Sequence, residues 1–372
     1  MEIRWAKTED IPALSDLWLT CFGDDQTFRD WFFGNRFWPE YCLTACEDGR
    51  PAAAVYGLPT RLWVRQKAVP AVIIGGVSTH PDHRGKGLMH RVFADFMAEM
   101  RRRGIPLTFL HPVREYLYFR LGHYTCSDRG FLTLHADAPR PPMPEGIIQL
   151  EGEQRAEELH RCYQQYIQPY SGPVWRQEAD YRFKAGDYLA GGARLIAAVD
   201  SQNRIEGYCW YFTDPQSVLG EECIALNRNA FARLTDGLAN LAAGRELTVK
   251  LPCDRLPQMP HAHTETKPWG CMGVGHLPTL LGLLGTEAEG IAIEVTDPVV
   301  PANSGVYALD GAPSSLPPAV SLQAGRLMQW LSGYRSLAAL AAEGHADIHD
   351  GAAAARLDTL LPTQNCLCSE EY

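Results

Sequence analysis

The chain has 372 residues, 46% of them hydrophobic and 21% charged, which is the composition of a globular protein with two or three domains. Acidic residues outnumber basic ones by 44 to 34, so the net charge is −10. This balance argues against a general nucleic-acid-binding protein and is compatible with a cationic substrate. The charged start MEIRWAKTED, with no apolar run of about 18 residues anywhere, predicts a cytoplasmic protein without a secretory signal or membrane span.

The first part of the chain predicts a mixed α/β domain. A strand over Ile3–Ala6 leads to a helix with Thr8 as its expected N-cap, and a second helix follows that Pro39 ends. Three strands come next, then an amphipathic helix over 88–100 and a buried strand over 105–110. The short run EYLYF predicts one more helical turn.

Two Pro-rich stretches divide the remainder of the chain. HADAPRPPMPEG (135–146) is the expected first linker, and LPQMPHAHTETKPWG (256–270) the expected second junction. Between them lie two helical segments, a hairpin turning at Asn203 and the strand ELTVKL. The last hundred residues predict strands followed by Ala- and Leu-rich helices, an α+β domain. The predicted domains are therefore 1–140, 146–265 and 270–372.

Cysteines and histidines give no sign of a metal or disulfide framework. Eleven cysteines are an odd number and are scattered through apolar surroundings, so we expect reduced and mostly buried thiols. The histidines that stand close together, His80 with His83 and His261 with His263, lie in loops far apart in the sequence. No metal site is predicted.

The most informative stretch is HPDHRGKGL (80–88), which joins a strand to a helix. Free backbone N–H groups at a helix N-terminus form a site for an anion such as phosphate. The P-loop pattern fails because Gly87 follows Lys86, and the GxGxxG pattern fails because its last glycine is missing. From composition alone, a basic surface turn remains an alternative.

The same stretch resembles the pyrophosphate loop of GCN5-related N-acetyltransferases (GNATs), whose pattern is [RQ]xxGxG or A. The run Arg84-Gly85-Lys86-Gly87 fits the first four places, and Met89 departs from the small residue in the sixth. That departure resembles the Eis (enhanced intracellular survival) subfamily, as does YFRLGHY after the next strand. LMQWLSGYRSLAAL resembles the subfamily's sterol-carrier-protein-like domain. The resemblance implies a GNAT fold, a second degenerate GNAT-like domain without a Gly-rich loop, and a C-terminal sterol-carrier-protein-like α+β domain.

The resemblance implies acetyl-CoA as the acetyl donor, with no metal taking part. Its pyrophosphate would be held by the backbone amides of Gly85, Lys86, Gly87, Leu88, Met89 and His90. Arg84 and Lys86 would add positive charge. The pantetheine chain would pair with the backbone of Val77, Ser78 and Thr79, which would also direct an N–H group at the thioester oxygen. Val113 and Arg114 match further contacts to CoA.

Two catalytic groups are implied by the same resemblance. Tyr118 matches the tyrosine that protonates the departing thiolate, although it could also be a core aromatic, and Tyr116 and Tyr124 are its near neighbours. His123 is expected to be structural. In the subfamily the chain's terminal carboxylate enters the active site, so the carboxylate of Tyr372 is the expected base, against the alternative of a frayed acidic terminus.

The resemblance therefore implies an N-acetyltransferase acting by direct attack of a primary amine, with a small polycationic acceptor such as an aminoglycoside. Two alternatives stay open: acetylation of a protein lysine or N-terminus, and a non-catalytic acyl-CoA- or lipid-binding protein. For the second of these, LPTLLGLLG (277–285) is either a core helix or the lining of a lipid tunnel. Look-alikes form hexamers, so a homo-oligomer is a further expectation.

Overall fold

The computed structural model describes residues 1–23, 25–138, 140–152, 154–258, 261–286 and 288–371. The chain divides into two compact units. Unit 1 consists of Met1–Ser127, Tyr170–Val174 and Trp269–Tyr372, and unit 2 of Asp128–Pro169 and Trp175–Pro268.

The regular elements alternate along the chain as in a mixed α/β protein. The strands are β1 (Glu2–Trp5), β2 (Cys42–Glu47), β3 (Arg50–Val64), β4 (Lys67–Thr79), β5 (Leu107–Leu110), β6 (Tyr124–Leu134), β7 (Ile147–Leu150), β8 (Arg194–Val199), β9 (Ile205–Thr213), β10 (Ser217–Ala225), β11 (Glu246–Leu251), β12 (Ala262–Val274), β13 (Ala292–Thr296), β14 (Gly305–Ala308), β15 (Pro318–Gln323) and β16 (Ala346–Ile348). The helices are α1 (Ile11–Phe22), α2 (Gln26–Asn35), α3 (Leu88–Arg102), α4 (Glu115–Phe119), α5 (Ala156–Ile167), α6 (Glu178–Ala190), α7 (Arg228–Ala242), α8 (Leu277–Leu284), α9 (Ala324–Ser332), α10 (Leu337–Ala342) and α11 (Gly351–Leu360).

In unit 1 the first domain is built on a sheet of order β1-β2-β3-β4-β5, with the end of β12 added beyond β5. Strands β1 to β4 pair antiparallel, whereas β4 and β5 pair parallel around the crossover helix α3. Helix α3 buries Val92, Phe93 and Phe96 on one face of the sheet, and Leu14 and Trp18 of α1 pack into a different core cluster. The packing of α3 thereby fixes the N-terminus of this helix near the end of β4.

The prediction of Thr8 as the N-cap of the first helix is wrong. Residues Thr8–Asp10 form a single 3-10 turn, and Asp10 takes the N-cap position of α1. The buried Asp10 carboxylate accepts from the backbone N–H of Lys7 at 2.8 Å and pairs with Arg4 at 2.7 Å. The ion pair between Asp10 and Arg4 of β1 therefore determines where α1 begins.

The C-terminal part of unit 1 is a four-stranded sheet of order β14-β13-β15-β16 with helices α8 to α11. Leu277, Leu280 and Leu281 of α8 are fully buried in the same apolar cluster as α1. This helix is therefore part of the core.

Unit 2 repeats the succession of the first domain. Strands β7 to β11 lie in the order β7-β8-β9-β10-β11, with antiparallel pairing until β10 and β11 pair parallel around α7. On the face opposite α7, the buried Arg176 guanidinium forms a bidentate pair with Glu222 at 3.0 and 2.6 Å. The Tyr208 hydroxyl donates to the same carboxylate at 2.8 Å, so the buried charge is fully bonded.

The predicted Pro-rich junction at 256–270 is also wrong in part, because β12 begins at Ala262. Residues 263–267 are polar and largely exposed, and Pro268 follows them. Because exposed polar residues next to a proline are typical of linkers, the sequence did not indicate this strand. Among the described residues no helix is long and apolar enough to cross a bilayer.

Candidate active site

A gap opens between two parallel strands of the first domain. Ile73 of β4 pairs with Phe109 of β5, and no ladder between the two strands follows in the described residues, although β4 runs on to Thr79. A β-bulge lies in this extension, since Val55 of β3 faces both Gly76 and Val77. A bulge bends its strand and increases the local twist, which turns β4 away from β5.

Gly76 is required at the bulge for two reasons. Its φ of +54° lies in the left-handed region, and a β-carbon there would overlap the Trp18 ring. Val77, Ser78 and Thr79 follow the bulge, in the part of β4 that has no ladder to β5 in the described residues. No feature of the sequence other than the GG pair indicates the bulge.

The predicted phosphate loop leads directly into α3. Gly85 and Gly87 have φ of +74° and +71°, and a β-carbon on either would meet no protein atom within 4 Å. The glycines therefore serve the backbone conformation and leave open space on the ligand side. Gly87 is the N-cap and has no side chain to cap the helix.

The first turn of α3 keeps its backbone donors available. Within the described part of the chain, no acceptor lies in hydrogen-bonding range of the N–H groups of Leu88, Met89 and His90. The partial positive charge of the helix N-terminus adds to these donors. The residues present thus fit the pyrophosphate of acetyl-CoA.

The two basic side chains of the loop form hydrogen bonds with backbone carbonyl groups in and just before the loop. The Nε of Arg84 donates to the carbonyl of Thr79 at 3.0 Å, and the Nζ of Lys86 donates to the carbonyl of Asp82 at 2.9 Å. Both contacts close the turn.

Tyr118 lies on α4, next to the helix that carries the loop. Its ring is half-buried and packs against Phe93 of α3 with 6.2 Å between centroids. Its hydroxyl has no hydrogen-bond partner among the described residues, and burial raises the pKa of the phenol above its ordinary value. The hydroxyl is therefore protonated at neutral pH and can donate a proton.

The remaining residues of this region differ in exposure. Val113 is 85% exposed, and Arg114 occupies the N-cap position of α4 with its Nη1 3.4 Å from the Tyr116 hydroxyl. His123 is fully buried between Thr108 (2.8 Å) and the carbonyl of Leu121 (2.9 Å). Burial lowers its pKa to about 4, so His123 is neutral at physiological pH and structural.

The C-terminal segment is bound within unit 1. Leu367 donates its N–H to the carbonyl of Ser171 at 2.9 Å, and the Ser369 hydroxyl accepts from the N–H of Val174 at 2.9 Å. The Glu371 carboxylate accepts from the indole N–H of Trp269 at 3.0 Å. Tyr372, the predicted source of the base, lies outside the described residues.

Glu371 lies near the end of β5, the strand that borders the gap. Cys271 of β12 pairs with Leu110, the last residue of β5, so Trp269 lies just beyond the end of that strand. The His111 ring lies 4.3 Å from Trp269, centroid to centroid. Sequence reasoning did not identify this cluster of His111, Trp269 and Glu371, because its members are far apart in the chain.

In the described residues no group of three or more His, Cys, Asp or Glu side chains could hold a metal ion.

Comparisons with known proteins agree with this geometry. The family profile of the acetyltransferase (GNAT) domain matches residues 2–126, and that of the sterol carrier protein domain matches residues 277–369. No curated protein sequence shows a significant match.

Solved structures share the fold over the whole chain. A probable N-acyltransferase from Enterococcus faecalis V583 is 17% identical with a TM-score of 0.83, covering 100% of this chain and 99% of that one. Eis1 from Mycobacterium abscessus is 15% identical with a TM-score of 0.77. A GCN5-related N-acetyltransferase from Kribbella flavida is 19% identical with a TM-score of 0.77. The last two cover 100% of both chains.

The fold, the bare helix N-terminus and the two domain matches define an acyl-CoA-dependent N-acetyltransferase of the GNAT fold. The predicted resemblance is confirmed: a GNAT domain comes first, a GNAT-like unit follows, and a sterol-carrier-protein-like domain ends the chain.

Proposed function

We propose that the enzyme transfers an acetyl group from acetyl-CoA to a primary amine of a small polycationic acceptor, by direct attack of the amine. Bound acetyl-CoA supplies an activated thioester. The observation that carries the proposal is the set of free N–H groups at the start of α3, with Tyr118 packed beside the same helix.

Tyr118 has the properties of a general acid. Burial raises the pKa of its phenol, so the hydroxyl keeps its proton at neutral pH. It packs on the apolar cluster that also includes Val77 and Leu88, which places it near the cleft. We assign Tyr118 the transfer of a proton to the departing thiolate.

The tail supports a carboxylate base. Contacts with Ser171, Val174 and Trp269 lead the chain to the end of β5, one residue before its terminal carboxylate. A terminal carboxylate has an ordinary pKa near 3.5 and is a weak base for an ammonium unless it is desolvated or acts through water. We assign it the acceptance of the proton from the attacking amine.

The same tail supports a cationic acceptor. The Glu371 carboxylate, which accepts from Trp269, brings negative charge to the end of β5, and the whole chain has a net charge of −10. Acidic groups that converge on a cleft favour ligands with several ammonium groups.

The acceptor class is tested by release of CoA thiol with a panel of amines: an aminoglycoside, a linear polyamine, a monoamine and a lysine peptide. We expect the polycations to have a kcat/KM about tenfold above the monoamine, because two or more further ammonium groups each add an ion pair of up to about 1 kcal/mol and about 1.4 kcal/mol is tenfold. The difference should shrink at high salt.

A matched pair of variants makes the test specific. Glu371→Gln keeps an oxygen for the Trp269 N–H but removes the charge, and it should reduce the advantage of the polycations. Glu9→Gln, which changes an exposed surface charge, should not. A lysine peptide that outperforms all small amines would instead support protein acetylation, and CoA binding without any thiol release would support the binding-protein alternative.

A further inference from the structure

The second unit contains the same strand–helix–strand arrangement that forms the CoA cleft in the first domain. Strands β10 and β11 pair parallel from Ser217 to Gly220, and no ladder between them follows in the described residues. A bulge at Glu221 interrupts the pairing of β10 with β9 at this point, and β10 continues to Ala225. In β10, as in β4, the parallel ladder therefore ends first and the bulge follows it.

A cavity of about 380 Å³ lies where these strands separate. This volume falls within the range of small-molecule sites. Its walls are partly apolar, formed by Cys223, Ala225, Phe231, Leu251 and Leu256. Charged side chains come from the start of α7 and from the segment after β11, namely Arg228, Asp254 and Arg255.

The phosphate end of this cavity differs from that of the first domain. Only residues 226 and 227 connect β10 to α7, whereas residues 80–87 connect β4 to α3. The Asn227 side chain accepts from the N–H of Ala230 at 2.8 Å and so caps the helix. The second unit therefore lacks a backbone cradle for a pyrophosphate and offers arginine side chains instead.

We propose that this cavity binds a 4′-phosphopantetheine arm, with its single phosphate at Arg228 and Arg255 and its thiol end toward the bulge. The apolar walls suit the pantetheine chain, and β10 beyond Gly220 offers a backbone edge that β11 does not pair in the described residues. Guanidinium groups bind phosphate through charge-assisted hydrogen bonds. This second site is independent of the transfer reaction proposed for the first domain.

The proposed orientation of the arm can be tested with a thiol-reactive reagent. By the correspondence with β4, the thiol end lies near the bulge, and Cys223 is two residues beyond it with its side chain in the cavity wall. The symmetric disulfide of 4′-phosphopantetheine should exchange with Cys223: the cysteine thiolate attacks one sulfur, a mixed disulfide forms, and one equivalent of 4′-phosphopantetheine thiol leaves.

The experiment uses the full-length protein and peptide mapping by mass spectrometry. We expect Cys223 to be modified at least about tenfold faster by this disulfide than by cystamine, because phosphate and chain contacts raise the local concentration of the reagent. The buried Cys162 and Cys209 serve as internal controls, and the half-buried Cys366 of unit 1 reports reactivity away from the cavity.

A pair of exposed arginines tests the phosphate contact without disturbing the core. Arg228→Ala should remove most of the preference for the phosphorylated reagent, whereas Arg161→Ala on the outer side of α5 should keep it. Protection of Cys223 by CoA would identify the free cofactor as the source of the arm, and protection by a phosphopantetheinylated carrier protein would identify a carrier. Equal rates with cystamine, or no protection by either, would overturn the proposal.

Discussion

Replacing Tyr118 with phenylalanine should lower kcat by about 100-fold, at the lower end of the range for loss of a general acid. The lower end is expected because a thiol has an ordinary pKa near 8.5 and its thiolate leaves without great difficulty. The phenyl ring keeps the packing against Phe93, so the fold and the affinity for acetyl-CoA should be retained. Steady-state kinetics and acetyl-CoA titration would measure the two effects separately.

Tyr116→Phe is the matched control for this change. Tyr116 is 59% exposed and its hydroxyl lies near Arg114, so its loss should leave kcat within about twofold, as is usual for surface substitutions. Equal kcat values for the Tyr118 variant and the wild type would show that the thiolate leaves without an acid. A loss of the same size in both variants would point to disturbance of α4 and not to chemistry.

Adding one glycine after Tyr372 should reduce kcat by about 100-fold, because it moves the terminal carboxylate while every native side chain remains. Removing Tyr372 should have a similar effect, since the new carboxylate then belongs to Glu371, which is held at Trp269. Both changes lie beyond the contacts of Leu367 and Ser369, so thermal stability should be unaffected.

Tyr372→Phe separates the carboxylate from the side chain. This variant keeps the terminal carboxylate in place and should retain wild-type kcat. If the added glycine leaves the rate unchanged, the terminal carboxylate is not the base. A rate that falls in the phenylalanine variant as well would assign the effect to the tyrosine ring.

The local features of the site could be predicted from the sequence. The run RGKG after a strand and before an amphipathic helix indicates a helix N-terminus built for an anion, and the structure shows Gly85 and Gly87 in left-handed conformations at that place. The start of α3 is determined by residues adjacent in sequence, and it can therefore be predicted from the local sequence pattern. The assignment to CoA needed the family resemblance.

Features that depend on distant pairing could not be predicted. The bulge at Gly76 exists only relative to β3, and the path of the tail depends on Ser171 and Trp269, about 200 and 100 residues earlier in the chain. Strand β10 was not predicted because it contains Glu222, and a glutamate is normally exposed. Its burial depends on the ion pair with Arg176. In each case the deciding partner lies in another part of the chain.

The central claim is that the glycine loop before α3 holds acetyl-CoA for transfer to an amine. The most direct test is mass spectrometry of a polycationic amine incubated with acetyl-CoA and enzyme, comparing wild type with Gly87→Asp. The aspartate places a side chain and a negative charge in the open space before the helix and strains a backbone with φ of +71°. We expect one acetyl group on the amine for each CoA thiol released by the wild type, and almost none with the variant. Equal acetylation by both proteins, or thiol release without an acetylated amine, would contradict it.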